Sequence, residues 1–101
     1  MDEISVSDLN AILPEVTVID VRELDEYVAG HVPNAIHIPL STIPLRFEEL
    51  ARDENLYMIC EAGGRSAQAG MFLEQQGFNT TNVVGGTGAW RNANYEISSG
   101  A

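Results

Sequence analysis

The residues of this sequence best suited to chemistry are seven in a row, Cys60-Glu61-Ala62-Gly63-Gly64-Arg65-Ser66. Two adjacent glycines let a short loop turn its backbone amides inward, which makes a nest for an anion. With Arg65 beside that nest and the positive end of a helix behind it, a thiolate at Cys60 is favoured over the thiol. Cys60 would then be a nucleophile. The competing account is plain packing: a free cysteine most often serves as a small apolar residue, here one that ends a buried strand. The loop alone leaves both accounts open.

Other chemically capable residues are sparser. His31 lies in a turn and His37 near a strand end, with no carboxylate visibly paired to either, so a structural hydrogen bond is the expected role of each. One cysteine and two histidines at unrelated spacings make no tetrahedral ligand set, and no metal site is expected. Trp90 reads as packing for a terminal helix. Gly85-Gly86 reads as a turn at the same sheet edge as the cysteine loop, where it would help shape the loop's mouth.

Positioning Cys60 requires a strand before the loop and a helix after it. Leu56 to Cys60 is an apolar run of strand length, and Ser66 to Gln76 carries Ala69, Phe72 and Leu73 on one helical face until Gly77 ends it. Upstream, Ile4 to Val6 reads as a short first strand, and a helix follows from a cap at Ser7 to Leu13, stopped by Pro14. The β-branched run Val16 to Val21 suits a central strand buried on both faces. A short helix over Arg22 to Ala29, a turn at Gly30 to Asn34 and a brief strand at Ala35 to Ile38 come next. Ser41 to Arg52 has irregular helical spacing, with Pro44 tolerable only near a helix start. Thr80 to Val84 reads as the last strand and Thr87 to Asn92 as the last helix. This alternation predicts an α/β fold: a mainly parallel five-stranded sheet with helices on both faces, in one domain over residues 1–101. Open parallel sheets place their sites outside the carboxyl ends of the strands, where Cys60 falls.

Composition narrows the partners. Fifteen acidic residues against five arginines and no lysine leave a formal charge of −10, which disfavours nucleic acid and anionic membrane. A basic protein or a thiol carrier is easier to accommodate. The acidic runs Asp2-Glu3, Glu23 to Glu26 and Asp53-Glu54 are read as solvated surface. A lone cysteine excludes an internal disulfide, and no apolar N-terminal run resembles a signal peptide or membrane span, so the expected setting is reducing and cytoplasmic.

The segment from Cys60 resembles the active-site loop of the rhodanese family, in which a glycine and an arginine follow the cysteine at the spacings of Gly63 and Arg65. Asp20-Val21-Arg22-Glu23 is similar to the family's Asp-Val-Arg segment, Gly30-His31-Val32-Pro33-Asn34-Ala35 to its Gly-His-Ile-Pro-Gly-Ala turn, and Gly85-Gly86 with Trp90 to its C-terminal signature. Asn34 stands in the usual glycine place of that turn, and asparagine tolerates left-handed backbone better than most residues. These matches span nearly the whole chain in the family's order.

The resemblance implies a sulfurtransferase in which Cys60 takes sulfane sulfur from a donor such as thiosulfate or a low-molecular-weight persulfide. It would pass that sulfur to a thiol, to cyanide or to a protein acceptor. Backbone amides across Glu61, Ala62, Gly63, Gly64, Arg65 and Ser66 would hold the persulfide's charge without metal or organic cofactor, and Arg65 would bind or screen the donor's anionic group. Asp20 and Arg22 are expected to form a structural ion pair. Related dual-specificity phosphatases have five residues between cysteine and arginine, whereas this chain has four. A phosphatase is therefore the lesser enzymatic alternative, and a non-enzymatic interaction or sensor module is the alternative from another class. Glu61 occupies a place where many members carry a basic residue, and its carboxylate is expected to oppose both a low thiol pKa and capture of a doubly charged donor.

Overall fold

The computed structural model describes residues 1–101. Its centre is a five-stranded parallel sheet in the order β1-β5-β4-β2-β3, formed by Asp2–Ile4 (β1), Thr17–Asp20 (β2), Ile36–His37 (β3), Asn55–Ile59 (β4) and Asn79–Val83 (β5). The predicted α/β class and the predicted five-stranded parallel sheet are therefore both found.

Side-chain alternation along the strands builds two cores. Ile19 and Met58 point to one face, with Leu56, Ala69, Leu73 and Phe78, whereas their neighbours Val18 and Ile59 point to the other, with Leu9, Tyr27, Val83 and Trp90. The first face is covered by Ile43–Arg46 (α3) and Gly64–Gln75 (α4); the second by Val6–Ile12 (α1), Leu24–Ala29 (α2) and Gly86–Asn92 (α5). A strand covered on both faces is largely apolar, which is why β2 carries Val18 and Ile19 side by side and β4 runs Leu56-Tyr57-Met58-Ile59.

Three local expectations are corrected. The first strand ends at Ile4, and the cap of α1 is Ser5, whose Oγ accepts from the Asp8 amide at 3.1 Å; Ser7 lies inside the helix. Only Ser5 stands three residues before a free first-turn amide in the observed register. The segment expected to be irregularly helical over Ser41 to Arg52 divides into 3-10 turns at Leu40–Thr42 and Phe47–Glu49 around the single turn of α3, which Pro44 opens. The expectation for Asn34, by contrast, is met: it adopts φ +69°, the left-handed conformation that asparagine tolerates.

β4 is the middle strand, so the residue after it emerges at the centre of the sheet's carboxyl edge. That residue is Cys60.

Candidate active site around Cys60

Cys60 directly follows β4 and the α4 helix starts four residues later, so the intervening backbone must reverse direction in very little chain. Gly63 makes the reversal at φ +120°, a conformation that side-chain-bearing residues rarely adopt. Its amide then donates to Cys60 Sγ at 3.1 Å, and the Ser66 hydroxyl lies 3.3 Å from the same sulfur. Of the two glycines, only Gly63 is needed for this turn. Gly64 is already helical, and a Cβ there would meet nothing within 4 Å.

The thiol is only 1% exposed. Burial pushes its pKa up, but the Ser66 hydroxyl and the amides of Ser66, Gly63 and Ala62 outweigh burial and bring it below the ordinary thiol value. The sulfur therefore sits at the bottom of a cradle of donors, able to carry negative charge without a cation in contact.

Ser66 belongs to a network that nothing in the sequence pattern revealed. Its hydroxyl is 2.6 Å from Asn82 Oδ1 and 3.2 Å from the Gly63 carbonyl, while Asn82 Nδ2 donates to that carbonyl at 3.1 Å. A hydroxyl has one proton to give. Donating to a Cys60 thiolate therefore withdraws that proton from Asn82, so the β5 asparagine competes with the sulfur for Ser66. Asn82 comes from the segment expected only as the last strand, and its position two strand residues after Thr80 gives no hint of this contact.

From behind, the loop is held by the first turn of α5. Thr87 and Gly88 amides donate to the carbonyls of Cys60 and Glu61 at 2.8 and 2.9 Å. A Cβ on Gly86, at φ +58°, would collide with the Cys60 carbonyl and come within 2.7 Å of the Glu61 backbone. The expected juxtaposition of Gly85-Gly86 with the cysteine loop is thus found, and close backbone approach is its physical content.

Three arginines surround the loop, each engaged by carboxylate. Arg22, 1% exposed, binds Asp20 through Nε and Nη2, donates from Nη2 to the Gly30 carbonyl at 2.7 Å and from Nη1 to Glu61 Oε1 at 3.1 Å. Arg91 donates to Glu61 Oε2 at 3.0 Å. Arg65 forms a bidentate pair with Glu26 at 2.8 and 2.9 Å. Glu61 is bridged between Arg22 and Arg91, and the Cys60 pKa is lowered with that carboxylate in place. Both histidines are structural, each placing a ring nitrogen 2.7 Å from a carbonyl, His31 Nδ1 on Tyr27 and His37 Nε2 on Arg22. Their rings sandwich Tyr27, with centroids 3.7 and 4.5 Å away. Trp90 is buried and donates from Nε1 to the Glu96 carbonyl at 2.8 Å. No group of three or more His, Cys, Asp or Glu residues is gathered as a metal ligand set, and no helix is long and apolar enough to cross a membrane.

The family model for the rhodanese-like domain matches residues 5–93. The chain belongs to the rhodanese family. Within that family it is 43% identical over 76 residues to a putative sulfurtransferase, YtwF, of Bacillus subtilis, covering 75% of this chain and 74% of that protein. It is 35% identical over 91 residues to a sulfurtransferase of Allochromatium vinosum, covering 89% and 85%. The crystal structure of a rhodanese-related protein from Thermoplasma volcanium superposes with a TM-score of 0.92 at 37% identity, over 97% of this chain and 98% of that one. In this rhodanese-like domain the Asp20-Val21-Arg22 segment is a structural clamp behind the loop, and Cys60 to Ser66 forms the cradle in front of it.

Proposed function

We propose that the protein is a sulfurtransferase that carries sulfane sulfur as a persulfide on Cys60, and that a single domain over residues 1–101 performs the transfer. The observation that carries this reading is the donor cradle on Sγ, built from the Gly63 amide at 3.1 Å and the Ser66 hydroxyl at 3.3 Å at the end of the central strand.

The Cys60 thiolate attacks the outer sulfur of a donor, either a persulfide RSS⁻ or thiosulfate. As the new S–S bond forms, the donor's own S–S bond breaks and its electron pair leaves on RS⁻ or sulfite. Cys60 is then a persulfide, lengthened by about 2 Å, the S–S bond length, which gives the transferable sulfur a reach the buried thiol lacks. A thiolate or cyanide attacks that outer sulfur and the Cys60 thiolate departs, stabilised by the donors that held it at the start. Sulfur moves at the sulfane level throughout, so no outside oxidant or reductant is consumed. The amides of Ala62, Gly63 and Ser66 and the Ser66 hydroxyl hold the charge at each stage. Four residues between Cys60 and Arg65 also leave less room than a loop that encircles phosphate.

The low exposure of Cys60, 1%, favours a second reading, a non-catalytic binding module in which the cysteine only packs. Intact mass separates the two. After incubation with thiosulfate, and separately with glutathione persulfide, the protein should gain one sulfur atom, removable by cyanide or thiol. The Cys60→Ser variant should gain none while keeping its fold. Failure of the wild-type protein to gain sulfur from either donor would leave the binding module as the better reading.

A further inference from the structure

We infer that Glu26 is a specificity-determining residue: its carboxylate occupies the anion-binding face of Arg65, disfavouring small dianionic oxyanion donors and favouring a persulfide borne on an organic thiol. This deepens the proposed sulfur transfer and rests on it.

Arg65 closes the cysteine loop and would be the natural cation for an anionic donor, because a guanidinium presents a planar fork that matches two oxygens. Glu26 already fills that fork, one oxygen on Nη1 at 2.8 Å and the other on Nη2 at 2.9 Å. The carboxylate is itself held in place. Oε1 also accepts from the Glu23 amide at 3.0 Å, as half of the capping box that starts α2, so Glu26 is preorganised toward Arg65 rather than free to swing away. Bonding to Arg65 brings the Glu26 pKa down to about 2, which keeps it ionised at neutral pH.

The other cations compensate little. Arg22 is saturated by Asp20, Glu61 and the Gly30 carbonyl, and the half-exposed Arg91 is paired with Glu61, so three arginines stand against Asp20, Glu26 and Glu61, with Glu23 a further carboxylate beside Arg65. An incoming dianion therefore meets a rim without net positive charge and must displace a tethered carboxylate. Beside Arg65 lies a groove of about 440 Å³ whose walls include Leu40, Ile43, Pro44 and Phe72. Glu23, Ser41 and Gln68 also line it, and its mainly apolar surface suits the carbon skeleton of an organic persulfide better than a bare oxyanion.

The test compares second-order loading of Cys60 from thiosulfate and from glutathione persulfide in wild type and Glu26→Gln. Glutamine keeps the length and the capping-box acceptor and removes the competing charge. The ratio of kcat/KM for thiosulfate to that for the persulfide should rise about tenfold in Glu26→Gln, through a lower thiosulfate KM, as expected for losing a competing bidentate ion pair. A binding readout independent of turnover accompanies it: in a Cys60→Ser background, Glu26→Gln should tighten thiosulfate binding by about the same factor, followed by NMR shifts. An unchanged ratio with both proteins still loaded by glutathione persulfide overturns the role of Glu26 and leaves sulfur transfer standing. Loss of loading from both donors in the wild type overturns sulfur transfer itself.

Discussion

Two arginines flank Cys60 and make opposite use of the same chemistry. Arg22 is 1% exposed and locked to a fully buried Asp20, whereas Arg65 is 38% exposed and paired with Glu26, which is 31% exposed. Both pairs are multidentate and close. Burial separates them: a charge removed from water cannot lose its partner without a penalty of several kcal/mol, while a charge at the surface loses its partner at a cost of about 1 kcal/mol. The inner pair therefore serves as scaffold and the outer pair as a site of selection.

The comparison is tested most severely by Arg22→Met, which keeps the length of the side chain and strands Asp20 in the core. It should cost about 3–5 kcal/mol in urea denaturation. A loss as small as that expected of a surface pair would remove the distinction between the two arginines.

The outer pair should contribute less, and its contribution should have a pH signature. Bonding to Arg65 lowers the Glu26 pKa from 4.5 to about 2, so the carboxylate favours the folded state fully above pH 4.5 and loses that effect as pH falls toward 2. The stability difference between wild type and Glu26→Gln should be roughly 1 kcal/mol or less at neutral pH, given solvent screening, and should shrink steadily across that acid window. Denaturation curves at a series of pH values would expose a difference that failed to shrink. The smallest effect is expected at Arg91, which is 50% exposed and holds only the outer oxygen of Glu61; Arg91→Ala should cost about 0.2–0.5 kcal/mol by the same measurement. A cost approaching that of Arg22→Met would mean that Glu61 transmits the inner clamp to the surface.

Much of the fold was legible because its signals are local. The β-branched run Val16 to Val21 and the apolar run Leu56 to Cys60 announce strands covered on both faces, and Gly77 and Pro14 mark where helices must stop. The errors came where local signals compete. Ser5 and Ser7 are both acceptable caps, and only the pairing of Ile4 with Val83 across β1 and β5 decides that the strand ends early enough for Ser5 to serve. The apolar residues after Ile43–Arg46 suggest a longer helix, but at Arg46 the backbone turns to φ −122° and the chain continues as the 3-10 turn Phe47–Glu49.

The sequence by itself determined the order of strands and helices, the glycine that turns the loop, and the cysteine at its head, because propensity, periodicity and loop chemistry act between near neighbours. Only the tertiary structure decided the company that loop keeps. Glu26 and Arg65 are 39 residues apart, as are Arg22 and Glu61, and Ser66 is 16 from Asn82. These meetings follow from which helices and strands pack side by side at the carboxyl edge of the sheet. The charge a residue carries is written in its type, but the charge it presents depends on what lies within a few ångströms, and that is set by packing.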